Sequence, residues 1–219
     1  MGKTIELNMS FDDLRDDRIR IADEDNIISH SEDESDLSAI FSKSDLTALL
    51  NQSENSDGIR IYPAVNNNQL IMLAFATRGI NDIIGDDRYC LARNAEGPVP
   101  VNGSEEVGQI QMVPTDIALH LINGVGSGRE ILDQLDNIRQ KHLSTHGLKV
   151  IFDRNFIIDN VYDDVIFEVV DLKLKDHDEE KRTITANFRK NTSSEHDLSI
   201  YERISMLPCP PNCGGVYLV

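Results

Sequence analysis

The stretch GIRIYPAVNNNQLIMLAFAT, residues 58–77, carries the densest β pattern in the chain. In its first half, isoleucines alternate with Arg60 and Tyr62, which is typical of a strand with one buried face. The asparagines at 66–68 tolerate left-handed backbone angles at low cost, so the chain can reverse there. The run at 70–75 is almost wholly apolar, as in a central strand covered on both faces. The stretch therefore predicts a β-hairpin around which the rest of the chain folds.

Acidic side chains dominate the composition of the 219 residues, with 38 Asp and Glu against 21 Lys and Arg and a formal net charge of -17. Such a field repels nucleic acids and anionic membranes, and it favours a cationic partner, divalent ions or simple solubility. Residues 1–57 hold fifteen of the acidic side chains against five basic ones. This asymmetry is typical of an acidic interaction segment.

The domain organisation follows from this change in composition. Residues 1–38 are predicted to be an acidic N-terminal segment, partly ordered, in which four apolar residues alternate at period two and predict an edge strand: Ile5, Leu7, Met9 and Phe11. Residues 39–219 are predicted to form a single α+β domain. With 40% hydrophobic residues, a chain of this length can bury a substantial core.

Helix signals flank the central hairpin and a second hairpin follows them. Ser42 is a suitable N-cap with Asp45 three residues later, and Thr115 opens a predicted short helix that runs through Asn123. A third helix is predicted from the capping box at Ser127 and Glu130. Residues 164–190 predict a second hairpin. The expected fold is α+β, with a mixed or antiparallel sheet built on the hairpins at 58–77 and 164–190 and two or three packed helices.

Three segments, LTALLNQ, GIRIYPA and the C-terminal CPPNCGG, give this chain a resemblance to a group of small uncharacterised bacterial proteins. The resemblance covers residues 40–80 and 207–215. It implies a shared architecture. It implies no catalytic residue, because the group has no assigned activity.

The C-terminal CPPNCGG segment also raises the question of a metal. Cys209 and Cys213 flank two prolines in a stiff loop, so their sulfurs could converge on one ion or form a disulfide. His142 and His146, one helical turn apart, could complete a Cys2His2 set, although histidines at a helix C-terminus also suit the dipole. Zinc knuckles usually space the cysteines by two residues, so the favoured prediction is a turn without metal or cofactor.

A glycine-rich segment offers a second candidate site. Gly124, Gly126 and Gly128 precede a predicted helix with Arg129 in its first turn, and such backbone can cradle a phosphate. The segment lacks the Lys-Ser/Thr of a P-loop, which favours a plain linker between helices. No nucleophile elbow, zincin motif or EF-hand loop is present in the sequence.

These observations favour a non-enzymatic, acidic, cytoplasmic protein that binds another protein, without membrane or nucleic-acid contact. A cytoplasmic location is expected because no run of about 18 apolar residues and no signal-peptide core is present, and because three cysteines are too few for a disulfide framework. The sharpest version is an inhibitor or regulator of a basic partner, such as a DNA mimic. Two alternatives are a hydrolase or phosphate-binding protein that uses the loop at 124–130, and a homo-oligomeric structural subunit.

Overall fold

The central hairpin forms as the sequence predicts. In the computed structural model, Gly58–Asn66 and Gln69–Arg78 pair antiparallel, with Asn66 opposite Gln69. The two turn residues, Asn67 and Asn68, have φ of 49° and 61°, which is the backbone twist that two-residue hairpin turns require. The asparagines therefore set the register of this hairpin.

The structure describes only part of the chain, and its elements lie in the following residues. The described residues are 3–8, 27–30, 37–79, 81–85, 87–122, 148–150, 154–159, 161–174, 181–190 and 201–205. The strands are β1 (Lys3–Leu7), β2 (Ile27–His30), β3 (Ser38–Ser42), β4 (Gly58–Asn66), β5 (Gln69–Arg78), β6 (Asn81–Asp82), β7 (Tyr89–Asn94), β8 (Gly97–Pro98), β9 (Glu105–Val107), β10 (Ile110–Pro114), β11 (Leu148–Val150), β12 (Asp164–Leu174), β13 (Lys181–Arg189) and β14 (Tyr201–Ser205). The helices are α1 (Lys43–Asn51), α2 (Thr115–Ile122) and α3 (Arg154–Asp159).

The first sheet has the order β14-β13-β12-β1-β2, and β3 also pairs with β12. β13 runs antiparallel along one edge of β12. The other edge is shared, because β3 pairs antiparallel with residues 164–168 and β1 pairs parallel with residues 170–174. β1 therefore lies between two strands, and the prediction of an edge strand there is wrong. The other two residues of that predicted strand, Met9 and Phe11, lie outside the described residues.

The second sheet has the order β11-β4-β5-β7-β10-β9, and β6 and β8 pair with β5 and β7. Of the run at 70–75 predicted to be covered on both faces, residues 71–75 are buried and Leu70 is half-buried; residues 76 and 77 are buried as well. The prediction of one buried face for β4 is wrong, because Arg60 and Tyr62 are also buried. Their polar atoms form hydrogen bonds and an ion pair with one another and with Asp82, so both faces of the strand can be buried.

Two apolar cores arrange these elements in three layers. One core lies between the sheets and joins Phe41 and Phe167 of the first to Ile61 and Leu91 of the second. The rings of Phe41 and Phe167 meet edge to face, with their centroids 5.3 Å apart. The other core packs the opposite face of the second sheet against Ala118 and other apolar residues of α2. The α+β fold built on hairpins is therefore confirmed.

Polar contacts at both ends hold α1 in place. The side chain of Ser42 accepts a hydrogen bond from the N–H of Asp45 at 3.0 Å, which is the predicted N-cap. At the C-terminal end, Arg154 of α3 donates to the carbonyl of Leu50 at 2.8 Å and to the hydroxyl of Ser56 at 2.6 Å. Among the helices that the structure describes, none is long and apolar enough to cross a membrane.

Candidate functional site

The ligand-binding residues proposed from the sequence all lie outside the part of the chain that the structure describes. They are the glycine-rich loop with Gly124, Gly126, Gly128 and Arg129, and the metal candidates Cys209, Cys213, His142 and His146. Both sites stay predictions. Within the described residues, no group of three or more His, Cys, Asp or Glu side chains could hold a metal ion.

An open cleft of about 550 Å³ lies beside the start of α2. Its volume is within the range of small-molecule sites, about 300–1,000 Å³. The segment after β6 supplies one part of its lining, the turn before β9 a second, and the first turns of α2 a third. The lining residues are Ile84, Gly85, Gly103, Glu105, Pro114, Thr115, Asp116, Ile117 and Leu119.

A buried polar network anchors β6, the strand directly before the Ile84 segment. The guanidinium of Arg60 lies 2.8 Å from Oδ1 of Asp82, and the hydroxyl of Tyr62 donates to Oδ2. All three residues are buried. Burial, followed by the negative charge of Asp82, raises the pKa of Tyr62, so this hydroxyl keeps its proton. Because breaking a buried ion pair is costly, the network links β6 to β4 across β5, the strand with which both pair.

Hydrogen bonds tie the next segment to α2. The hydroxyl of Thr115 donates to the carbonyl of Gly85 at 3.1 Å, and the N–H of Thr115 donates to the carbonyl of Arg88 at 3.2 Å. The N–H of Arg88 donates in turn to the carbonyl of Gly85 at 3.1 Å. The Ile84 side of the cleft and the first residue of α2 are therefore held together before any ligand binds.

Gly103 brings the opposite side of the cleft close to α2. Its φ is +83°, in a region that L side chains rarely adopt. A Cβ atom at this position would lie 2.5 Å from Cδ1 of Ile117. The backbone angle therefore favours glycine at the turn, and a larger residue there would also displace the end of the Ile117 side chain.

The charged groups of the cleft are carboxylates. Glu105 and Asp116 are exposed, and the lining residues include no Lys, Arg or His. The hydroxyl of Tyr89 donates to Oε2 of Glu105 at 2.9 Å. This hydrogen bond is the main cause of the raised pKa of Tyr89. The cleft thus combines negative charge with the apolar side chains of Ile84, Ile117 and Leu119.

The cleft was not predicted from the sequence. Its residues come from separate parts of the range 84–119, and their meeting depends on strand pairing distant in sequence, such as that of β7 with β10. One local signal was available: Pro114-Thr115-Asp116 marks a helix start, and Glu105-Glu106 lies shortly before it. The sequence did not indicate that these two segments would line one cleft together with Ile84.

Several arginine side chains form ion pairs or hydrogen bonds with other residues of the chain. Arg93 lies 2.7 Å from Asp45 and is only 2% exposed. Arg189 pairs in bidentate fashion with Asp164, at 2.7 and 3.1 Å. Arg60 and Arg154 are engaged in the contacts described above. Arg60, Arg93 and Arg189 are thus paired with carboxylates, whereas Arg154 donates to uncharged acceptors.

Exposed carboxylates outnumber exposed cations among the described residues whose exposure is assigned. Among described residues with assigned exposure, nine exposed carboxylates face three exposed Lys or Arg side chains. The carboxylates are those of Glu54, Asp57, Asp87, Glu96, Glu105, Glu106, Asp116, Asp159 and Asp163. The cations are those of Arg78, Lys173 and Lys190.

Comparison of the chain with protein-family models, with curated proteins and with solved structures finds no match.

Proposed function

We propose that this chain is a non-enzymatic, cytoplasmic protein that binds a basic partner protein through its acidic surface. The observation that carries the proposal is the excess of exposed carboxylates over exposed cations among the described residues with assigned exposure, in a chain with a formal net charge of -17. The arginines that could offset this excess are bonded within the fold, as with Arg93 and Asp45. A partner with a basic face would meet little positive charge to repel it.

Electrostatic attraction of this kind acts mainly on the rate at which the two proteins associate. Complementary potentials raise association rates by about 10- to 1,000-fold, and the effect falls steeply with ionic strength. Screening sets in over about 10 Å at 0.1 M salt. The same field repels the phosphates of nucleic acids, which supports a protein as the partner.

The test begins with affinity capture from native lysate and identification of bound proteins by mass spectrometry. The association rate of a purified partner is then measured by stopped flow across a range of NaCl concentrations. We expect the rate to fall steeply as salt rises. The charge variant neutralises three exposed carboxylates with Glu54→Gln, Glu96→Gln and Asp159→Asn, and it should bind more slowly at low salt only.

The control variant changes three exposed uncharged residues, with Asn55→Ser, Asn102→Ser and Gln109→Asn, and it should match the wild type. Substitution is preferred to deletion of residues 1–38, because β1 pairs with β12 and its loss would expose a sheet edge. A rate that is independent of salt and equal in all three proteins would contradict the proposal.

A further inference from the structure

The lining of the cleft beside α2 includes an exposed large apolar side chain. Ile84 is 40% exposed and lines the cleft. Among the described residues, the other large hydrophobic side chain with high exposure is Val161, which does not line it. Apolar side chains left exposed at a concave site mark a contact surface more strongly than isolated ones elsewhere.

We infer that this cleft is where a basic segment of the partner protein docks, with an aliphatic side chain inside and a Lys or Arg beside it. The inference rests on the proposed function and names the part of the partner that is recognised. Ile84, Ile117 and Leu119 supply the apolar contact. Glu105 and Asp116 supply carboxylates for the adjacent cation, which a charge-assisted hydrogen bond would join.

The negative charge of the cleft disfavours an acidic or phosphorylated segment as its occupant. The N-terminal end of α2 could favour an anion by its dipole, but Asp116 in the first turn already places a carboxylate there. Glu105 adds a second negative charge to the same cleft. A purely cationic occupant without apolar groups would leave Ile84 exposed to water and gain nothing from it.

The cleft is also formed in advance, which reduces the entropy cost of binding. The Arg60–Asp82–Tyr62 network fixes β6 before the Ile84 segment. The bond from Thr115 to Gly85 fixes the next residue against α2. A partner segment would therefore enter a shaped site and would not need to order it.

The test uses three fluorescent peptides of equal length: one of alternating Lys and Leu, one of alternating Lys and Gly, and one of alternating Glu and Leu. Binding is measured by fluorescence anisotropy at low salt. We expect the Lys-Leu peptide to bind at least about tenfold more tightly than the Lys-Gly peptide, because only the former buries aliphatic side chains. The Glu-Leu peptide should bind weakest.

Two pairs of matched variants locate the site. Ile84→Ser should abolish the preference for Lys-Leu over Lys-Gly, whereas Val161→Ser, which removes an exposed aliphatic side chain elsewhere, should keep it. The pair Glu105→Gln with Asp116→Asn should weaken both basic peptides more than Glu96→Gln with Asp159→Asn, which removes the same charge outside the cleft. Thermal unfolding confirms that each variant is folded.

The results separate the two proposals. If both basic peptides bind equally and the cleft variants match their controls, the cleft inference is overturned while binding of basic partners stands. If neither basic peptide binds more tightly than the Glu-Leu peptide, the proposed function fails and the cleft inference fails with it.

Discussion

At the scale of single residues, three tyrosines in this fold differ in what their hydroxyl groups contact. Tyr62 donates to Asp82 inside the second sheet, and Tyr89 donates to Glu105 at the cleft. Tyr162 is 6% exposed, and its ring packs edge to face on Phe188 with centroids 4.9 Å apart. In the described part of the chain, the Tyr162 hydroxyl has no hydrogen-bond partner. We therefore expect the hydroxyl group of Tyr62 to stabilise the fold and that of Tyr162 to destabilise it.

The first prediction concerns this buried hydroxyl. Tyr162→Phe removes a polar group that is desolvated without compensation, so the free energy of unfolding should rise by about 1 kcal/mol. Tyr62→Phe is the matched control and should lower it, because Asp82 loses a donor. Urea denaturation of the two variants measures both effects. A clear loss of stability in Tyr162→Phe would show that its hydroxyl is bonded after all.

The second prediction concerns alkaline pH. Burial raises the pKa of Tyr62 and Tyr162 above the ordinary 10.0, and that of the Cys90 thiol above the ordinary 9.0. The unfolded chain therefore loses these protons first, and the folded chain binds more protons between the two sets of pKa values. Stability should be fully present below about pH 9 and should fall as pH rises above it, by up to about 1.4 kcal/mol per group and pH unit.

The measurement for this pH effect is the urea midpoint between pH 8 and about pH 11. Tyr162→Phe removes one of the three groups, so its midpoint should fall less steeply above pH 10 than that of the wild type. A midpoint that stays level across this range would contradict the assigned burial of all three groups.

At the scale of elements, the hairpin of β4 and β5 lies at the centre of the second sheet, covered on both sides. Leu73 is fully buried between this sheet and α2, and Ile61 is fully buried on the side of the first sheet. Leu73→Ala should lower the free energy of unfolding by about 2–5 kcal/mol, because the deletion leaves a cavity. Gln69→Ala, exposed on the same strand, should change it by less than about 0.5 kcal/mol. Equal urea midpoints for the two variants would remove the hairpin from the core.

Two glycine turns provide a test of the cleft wall. Gly103 and Gly108 have φ of +83° and +69°, but only at Gly103 would a Cβ atom meet a neighbour, Cδ1 of Ile117. Both alanine variants should lose about 1–2 kcal/mol from the left-handed backbone. Gly103→Ala should lose more, and it should also weaken binding of the Lys-Leu peptide because Ile117 moves. Equal losses and equal binding would contradict the close packing of Gly103 on Ile117.

The sequence predicted the structural features that depend on residues close together in the chain. The Ser42 cap and the asparagine turn each depend on residues a few positions apart, so both were predicted. β7 was not, because it is short and contains Arg93, whose partner Asp45 lies 48 residues earlier. The burial of Arg60 likewise depends on Asp82, which reaches it only when β6 folds back. The cleft combines contacts of this long-range kind.

At the scale of the whole molecule, the net charge of -17 acts on stability as well as on binding. Like charges on a compact surface repel one another, and unfolding moves them apart. Added NaCl should therefore raise the thermal midpoint between about 0.01 and 0.5 M, where the screening length shrinks from about 30 Å to a few Å. The variant with Glu54→Gln, Glu96→Gln and Asp159→Asn should show a smaller rise. A midpoint that falls with salt would show that attractive ion pairs outweigh the repulsion.

The shared edge of β12 has a consequence for how the chain is made. β1 and β3 are synthesised early, yet the strand on which both pair is complete only at residue 174, and Glu6 meets Lys173 across 167 positions of sequence. At about 5–20 residues per second, β1 leaves the ribosome on the order of ten seconds before β12 follows. Throughout that interval the edge of β3 that pairs with β12 lacks this partner strand, although its apolar face can already pack on the second sheet. A message cut short before residue 164 would yield a polypeptide whose first sheet lacks the strand that unites it.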